Sequence, residues 1–507
     1  MDLESAPAES EKDKSLTDHS LSGFSWLAGR TVITRIVQYG GQIVLAWLLE
    51  PKAFGLIGMA YSIQAFAALV QQSGIDKVLV AKQGQFDELA NPGFWGALAT
   101  GIVAGGLMAV SAPVAADVLN SPGLTELILI LAIATPFKAL WLVPQSRLSI
   151  DLRFDLKAII NAGAIILQMV LTIALATQGF GAQSFVLPAL LVNPLIAGVL
   201  YALTRPPLRW TPEFGKWPGI AKASGFLILA AVFNKVVFQG DYLVLGAVYP
   251  EDVVGVYYIA FALSVQPIML LANNVTNTLF PVLSRLKGDW GRQRKALIRA
   301  ARVATLVTAP VSVFIATTAE PLVKLFLSAD WVAAIPILQI LALGMMLRVL
   351  EGMTYAFLNA QERFQTIAGL SLLRSVLFFG LAVTAVSFSV KWFAVGVAIA
   401  YLLDSIVQIH VALRFSWETL RNVVQIIGLP VVSSLSAGLV GLWFYQLGPP
   451  SMQVWNLVSI LGIGIIFLVF VLGTTAMLDS SLWAELKHVK SKVYRKLGDG
   501  ETAEMGA

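Results

Sequence analysis

The chain has 507 residues, of which 57% are hydrophobic and 13% are charged, and its formal net charge is +5. Soluble globular proteins carry about 25% charged residues, so this composition excludes an ordinary soluble domain. The sequence contains no cysteine, and its three histidines (His19, His410 and His488) are far apart along the chain. It therefore predicts neither a disulfide framework nor a metal or cofactor site built from these residues.

Apolar stretches recur along nearly the whole chain, and each is about 20 residues long, enough to cross a hydrocarbon core of about 30 Å. A helix satisfies its own backbone hydrogen bonds in lipid, and the stretches are continuously apolar rather than alternating, so helices are favoured over a barrel. We predict an all-α polytopic membrane protein with about fourteen transmembrane helices. The predicted spans are 24–48, 55–75, 93–112, 124–143, 159–177, 184–203, 223–248, 255–279, 299–319, 333–357, 367–388, 393–413, 425–447 and 454–477.

The distribution of basic residues predicts the orientation of these spans. If the N-terminus is cytoplasmic, segments on that side hold 25 Lys and Arg, and loops on the other side hold only Lys52, Lys324 and Lys391. Such a split is the positive-inside pattern, so we predict a bacterial inner-membrane protein with both termini in the cytoplasm. The net positive charge then faces anionic lipid and does not indicate nucleic-acid binding. Residues 1–22 are polar and do not resemble a cleaved signal peptide.

Short sequence matches predict an internal repeat. Residues 51–60 and 250–260 each place Pro and then Gly at the start of a helix, and Arg153-Phe154 and Arg363-Phe364 each follow a predicted span. These points lie 200 to 210 residues apart, in the same order. We therefore predict two six-helix bundles in a parallel pseudo-twofold repeat around a central cavity, although chance similarity of two helical segments is the alternative.

The predicted organisation follows from these spans and from the repeat. In chain order it comprises a polar N-terminus (1–22), an N-terminal bundle (23–203), a cytoplasmic linker (204–222), a C-terminal bundle (223–413), two additional helices (414–480) and a basic tail (481–507). The tail has the pattern of an amphipathic helix on the cytoplasmic leaflet, with a solvated charged tail as the alternative.

Basic residues inside the spans indicate a hydrated interior. Arg35 and Lys235 lie 200 residues apart, and Lys138 and Arg348 lie 210 apart. A lipid-facing Arg or Lys at mid-membrane costs about 2.5–3.5 kcal/mol, so we expect such residues to line a cavity that selects an anionic passenger. The candidate substrate cavity comprises Arg35, Gln38, Gln42, Lys138, Lys235 and Arg348.

A purely structural interpretation of the same charges stays open. Arg348 and Glu351 can neutralise each other on one helix, Arg374 can pair with Asp404, and Lys138 lies close enough to the cytoplasmic end to snorkel. Carboxylates within the spans are also candidates for proton or cation coupling. These are Asp241, Glu351 and Asp404.

Several segments resemble a known family. The residues are 48–60, 71–74 and 78–80 in the first half, and 241–246, 255–260 and 280–285 in the second. They resemble the polysaccharide-transporter branch, similar to Wzx O-antigen flippases, of the multidrug/oligosaccharidyl-lipid/polysaccharide (MOP) exporter superfamily, over approximately residues 20–480. The resemblance implies a MATE-like two-bundle fold with rocker-switch alternating access. It also implies flipping of an undecaprenyl-pyrophosphate-linked oligosaccharide for exopolysaccharide, capsule or O-antigen assembly, with a polysaccharide polymerase and chain-length or export proteins as partners.

Other functions remain as alternatives at this point. Within the same superfamily they are a lipid II flippase and a cation-coupled drug exporter. A membrane enzyme would usually need a large hydrophilic loop for its acid, base or donor site, and the longest interior loop here has only about 20 residues. A structural scaffold would not explain the charges inside the spans. We therefore expect a transporter and not an enzyme.

Overall fold

The computed structural model describes residues 34–35, 37–71, 74–213, 215, 239–413, 417–449 and 451–478. Over these residues the chain is helical and contains no strand. The helices are α1 (Pro51–Gln71), α2 (Ile75–Ala81), α3 (Phe86–Val118), α4 (Gly123–Ala139), α5 (Leu142–Ile150), α6 (Phe154–Thr177), α7 (Gln183–Thr204), α8 (Glu251–Arg285), α9 (Trp290–Phe326), α10 (Ala334–Gly344), α11 (Val349–Ala360), α12 (Phe364–Val386), α13 (Val390–Leu413), α14 (Trp417–Gln446) and α15 (Gln453–Leu478).

Twelve helical segments among the described residues are long and apolar enough to cross a membrane. They overlap twelve of the predicted spans, and the all-α polytopic fold class is confirmed. The other two predicted spans, 24–48 and 223–248, lie partly outside the described residues, and their described parts are helical at 37–48 and 239–246. The N-terminus 1–22 and the tail 481–507 lie outside the described residues altogether.

Two of the predicted spans are interrupted in the structure. Span 124–143 corresponds to α4 followed by α5, and span 333–357 corresponds to α10 followed by α11. At both interruptions the backbone tightens to hydrogen bonds between residues three apart, as from Trp141 N to Lys138 O (3.2 Å) and from Arg348 N to Met345 O (3.0 Å). This is the pattern of a short 3₁₀ turn inside a longer helix. Each of the two stretches is apolar enough to be predicted as one span, so neither turn was expected from the sequence.

The chain divides into two compact units between Tyr258 and Ile259. In the first unit, α3 packs against α4 through two glycines spaced four residues apart. A Cβ atom on Gly101 would lie 2.7 Å from the Cβ of Ala139, and one on Gly105 would lie 2.5 Å from the carbonyl oxygen of Ala132. Small residues at this spacing allow membrane helices to approach closely. The predicted bundle and linker boundaries, and a cavity between the bundles, stay predictions.

A second close approach in the first unit lies where α1 meets the beginning of α8. A Cβ atom on Gly55 would lie 1.7 Å from the carbonyl oxygen of Glu251, and one on Gly255 would lie 1.8 Å from that of Pro51. Any side chain at either position would collide with backbone, so both helices need glycine here. The two glycines are 200 residues apart, which is the offset that the sequence matches predicted.

In the second unit, α9 is the element against which the last two helices pack. A Cβ atom on Gly438 of α14 would lie 2.6 Å from Val313, and one on Gly441 would lie 3.0 Å from Thr317. Contacts between α9 and both α14 and α15 follow from this close approach. The two C-terminal helices are therefore part of the second unit.

The Arg-Phe pairs that suggested the repeat begin corresponding helices in the two units. Each Arg follows a residue with positive φ: Leu152 at 55° and Glu362 at 59°. The backbone N–H of Arg153 donates to Leu148 O and that of Arg363 donates to Leu358 O, both at 2.9 Å. Four matching positions with an offset of 210 support the repeat and allow the two units to be compared residue by residue.

Candidate functional site

The first unit contains a cavity of about 600 Å³. An adjoining space of about 470 Å³ shares Tyr61, Lys138, Gln168, Phe185 and Asn193 with it. Small-molecule sites usually measure roughly 300–1,000 Å³, so the cavity is large enough for a ligand of one or two sugar rings. The residues that line it come from 38–45, α1, α4, the α4–α5 turn, α6, α7 and the start of α8. They are Gln38, Gln42, Leu45, Tyr61, Lys138, Trp141, Asn161, Ala164, Ile165, Gln168, Met169, Thr172, Phe185, Val192, Asn193 and Tyr258.

Side-chain amides supply most of the polar groups in this lining. Gln168 Nε2 donates to Phe185 O (3.3 Å), and Asn193 Nδ2 donates to Ala134 O (3.3 Å). The Oε1 atom of Gln42 is buried and has no hydrogen-bond partner among the described residues. Amides both donate and accept hydrogen bonds, which suits ligands that carry hydroxyl groups.

Lys138 provides the positive charge of the lining, and no acidic residue is among the side chains that line the cavity in the described part of the chain. Its Nζ atom lies 3.3 Å from the centre of the Trp141 ring, a cation–π contact. The indole is fixed in turn, because Trp141 Nε1 donates to Asn193 O at 2.9 Å. Lys138 is exposed in the structure.

The structure brings three of the residues predicted for the substrate cavity to one place: Gln38, Gln42 and Lys138. Arg35 is not part of the lining but donates from Nη1 to Gln38 Oε1 at 3.0 Å, next to the cavity. Lys235 lies outside the described residues. Arg348 belongs to the second unit and has different surroundings.

In the second unit, Arg348 lies in a buried cluster of two arginines and two carboxylates. Glu351 contacts both Arg348 and Arg374, and Arg348 Nη1 lies 3.7 Å from Asp404 Oδ2. Exposure is only 4% for Arg348 and 2% for Asp404. Two positive and two negative groups cancel formally, which is what a buried set of charges requires. These contacts support the structural interpretation of Arg348, and they give Arg374 a direct partner in Glu351.

Neutral groups complete this cluster. Gln408 Nε2 donates to both carboxylate oxygens of Asp404, at 3.0 and 2.9 Å. The guanidinium carbon of Arg348 lies 4.9 Å from the centre of the Tyr401 ring. The cluster is therefore held by the α10–α11 turn and by α11, α12 and α13 together.

Asp241, the third carboxylate predicted for ion coupling, is fully buried in the first unit. Its Oδ2 atom accepts a hydrogen bond from the Tyr257 hydroxyl at 3.1 Å, and its Oδ1 atom accepts one from the Tyr242 backbone at 3.0 Å. These contacts link residues 239–246 to the beginning of α8. Asp241 belongs to the first unit, whereas Glu351 and Asp404 belong to the second.

The sequence analysis missed the part of the lining that comes from α6. Asn161, Gln168 and Thr172 lie on one face of that helix at spacings of seven and four residues. This polar stripe was detectable in the predicted span 159–177. It contains no ionisable residue, unlike the polar stripes on the first, seventh, tenth and twelfth predicted spans.

Comparison with known proteins places the chain in a family. The model of a family described as "Polysaccharide biosynthesis protein" matches residues 44–336, which is more than half of the chain. The chain belongs to this family. The class defined by fold and family is that of membrane transporters of polysaccharide biosynthesis, as the resemblance implied.

Individual relatives have low sequence identity. The chain is 26% identical over 322 residues to the succinoglycan biosynthesis transport protein ExoT of Rhizobium meliloti (strain 1021), a match that covers 62% of this chain and 65% of ExoT. It is 24% identical over 407 residues to the lipopolysaccharide biosynthesis protein WzxC of Escherichia coli (strain K12), covering 78% of this chain and 80% of WzxC.

Among solved structures, the fold is similar to that of the lipid II flippase MurJ in an inward closed conformation. The TM-score is 0.72 at 16% identity, and the match covers 88% of this chain and 97% of MurJ. ExoT is named as a transport protein and MurJ as a flippase. The prediction of a multi-pass membrane transporter, and not an enzyme, is therefore confirmed.

Proposed function

We propose that the chain is a flippase that moves an undecaprenyl-pyrophosphate-linked oligosaccharide across the bacterial inner membrane, by alternating access, for exopolysaccharide, capsule or O-antigen synthesis. The main structural observation that supports this proposal is the cavity in the first unit. Five amides, aromatic rings and one ammonium group line it inside a membrane-spanning fold. Hydroxyl-rich rings can be bound by such a surface, while a prenyl chain stays in the lipid.

The membrane arrangement and the partners of the proposed flippase follow from the same reasoning. The distribution of Lys and Arg predicts that both termini are cytoplasmic, and in the proposed function the substrate enters from the cytoplasmic leaflet. The proteins that receive the substrate on the periplasmic side are a polysaccharide polymerase and chain-length or export proteins.

Of the carboxylates proposed for ion coupling, Asp241 contacts a tyrosine hydroxyl, whereas Glu351 and Asp404 have arginine partners.

Complementation tests the proposed function. The chain is expressed in a bacterium whose own polysaccharide flippase gene is deleted, and surface polymer is measured together with lipid-linked repeat units in the membrane. We expect the chain to restore surface polymer and to prevent accumulation of the lipid-linked units. Restoration of lipid II translocation in a matched strain, or of drug resistance alone, would assign the chain to the alternative transporters of the superfamily.

Substitutions in the cavity test whether the cavity is needed for polymer export. Lys138→Ala combined with Gln42→Ala should reduce surface polymer by about tenfold or more, because both polar ligand contacts are lost. Lys52→Ala is the matched control, since Lys52 is exposed on α1 of the same unit and does not line the cavity. Unchanged export by the double variant at normal protein level would contradict the role of the cavity.

A further inference from the structure

We infer that the cavity of the first unit recognises a pyranose that carries a single carboxylate. In this arrangement Lys138 binds the carboxylate and Trp141 stacks on the sugar ring. The inference rests on the proposed function and adds the chemical class of sugar that this site takes. The two side chains that carry it are in contact, with Lys138 Nζ 3.3 Å from the Trp141 ring centre.

The positive charge of the cavity lining matches a ligand with one negatively charged group. Lys138 contributes the positive charge among the lining residues of the described chain, and none of those residues is acidic. A lysine ammonium is a compact point charge, whereas phosphate groups are bound best by the planar fork of arginine. A pyrophosphate carries more than one negative charge and would be incompletely matched here. A single carboxylate matches the available charge.

The rest of the lining fits a sugar ring. The Gln38, Gln42 and Asn161 amides surround the site, and Gln42 Oε1 is buried without a partner among the described residues, so it can accept a hydroxyl hydrogen bond. Tyr61 and Tyr258 add aromatic surface. Amides for hydroxyl groups and aromatic faces for C–H groups are the two complementary surfaces that a pyranose presents.

The contact between Lys138 and Trp141 couples the two kinds of recognition. In the structure the ammonium covers one face of the indole, and the indole is held in place by the hydrogen bond from Nε1 to Asn193 O at 2.9 Å. An arriving carboxylate attracts the flexible lysine away from the ring, because a charge-assisted hydrogen bond is stronger than a cation–π contact at an exposed site. The freed indole face then stacks on the sugar. A neutral sugar lacks the group that displaces Lys138.

The test compares two disaccharides that differ in one group. Cellobiose and cellobiouronic acid have the same rings, and the second carries a carboxylate in place of a hydroxymethyl group. Binding of each to the purified full chain is measured by titration calorimetry. We expect the acidic disaccharide to bind about tenfold more tightly, in line with the replacement of a neutral hydrogen bond by a charge-assisted one.

Two variants identify the residue responsible. Lys138→Gln should abolish the preference, and cellobiose should bind to it at least as tightly as to the wild type, because the ammonium no longer covers the indole. An unchanged Tm and a monodisperse elution profile show that the variant is folded. In the wild type, the acidic disaccharide should change the intrinsic tryptophan fluorescence, and Trp141→Phe should lose that change. Cellobiose should produce a smaller change because Lys138 stays on the indole.

The outcomes separate this inference from the proposed function. Equal affinities for the two disaccharides in the wild type would overturn the inference, and so would a preference that survives Lys138→Gln. If neither disaccharide binds while the chain still restores polymer export, the inference fails and the flippase stands. If export is not restored either, the proposed function fails as well.

Discussion

The two units place a cation at the same position of the repeat and surround it differently. Lys138 lies by the α4–α5 turn of the first unit, and Arg348, 210 residues later, lies in the α10–α11 turn of the second. Lys138 contacts the Trp141 ring in an open cavity. Arg348 contacts Glu351 in a buried cluster. The two positions therefore present an available charge in one unit and a neutralised one in the other.

Two further substitutions at the same offset explain the difference. The position of Trp141 corresponds to Glu351, and the position of Ala164 on α6 corresponds to Arg374 on α12. Glu351 and Arg374 contact each other in the second unit, whereas Ala164 has only a methyl group and lines the cavity. The small side chain leaves space that the arginine fills in the other unit. The first unit thus has a cavity at a position where the second unit has a buried ion cluster.

Removing one partner of the ion cluster should have the largest effect. Arg374→Ala leaves two buried carboxylates with a single arginine, and an uncompensated buried charge costs roughly 3–5 kcal/mol. We expect a large fall in the Tm of the purified protein in detergent and loss of the monodisperse fraction.

The double variant Arg374→Ala with Glu351→Ala is the control, because it retains one cation and one carboxylate, Arg348 and Asp404. It should recover a large part of the lost stability. An equal fall in Tm for the single and double variants would mean that packing, and not charge balance, accounts for the effect.

Ala164→Arg introduces into the first unit the side chain that the second unit has at this position. The arginine should fill the cavity and repel Lys138, so polymer export should fall by more than about tenfold as the site loses its ligand contacts. The Tm should change less than for Arg374→Ala, because the cavity is open to solvent.

Ala164→Ser is the matched control, since it adds a small polar group without filling the cavity. It should export close to the wild-type amount of polymer. Normal export by Ala164→Arg at normal protein level would show that this space is not used by the substrate.

Trp141→Glu recreates in the first unit the pairing of Arg348 with Glu351. A carboxylate three residues from Lys138 should neutralise it, so the preference for cellobiouronic acid over cellobiose should fall by about tenfold, or about 1.4 kcal/mol. Trp141→Phe keeps a ring and an unpaired lysine and should retain part of the preference. Calorimetric affinities for the two disaccharides check this, and an undiminished preference in Trp141→Glu would contradict the assigned role of Lys138.

Most of the fold was predictable because it follows from length, hydropathy and the distribution of charge. The turns at Trp141 and Arg348 were not, because each lies within a stretch that is apolar enough to be predicted as one continuous span. Pairing of charges was ambiguous for a similar reason. Arg348 and Glu351 are neighbours on any helix, but whether Arg374 and Asp404 join them depends on how three helices pack, which one-dimensional periodicity does not encode.

The candidate site was predictable only in part. Gln38, Gln42 and Lys138 were found because they are polar or ionisable within spans, where such groups are costly. The contribution of Ala164 could not be recognised, because it acts by leaving space and its significance appears only beside Arg374. Trp141 was equally inconspicuous, since an aromatic residue in a span usually packs against lipid or apolar side chains.

The smallest effect is expected for Lys138→Arg. The substitution keeps the positive charge, and a guanidinium also stacks on an indole, so the contact with Trp141 is retained. The preference for the acidic disaccharide should change by less than about threefold, or about 0.7 kcal/mol, whereas Lys138→Gln should abolish it. If Lys138→Arg behaves like Lys138→Gln in calorimetry, the site requires the compact shape of an ammonium group as well as its charge. Equivalent binding by both cations would instead show that the two units differ in what surrounds the charge and not in which basic residue carries it.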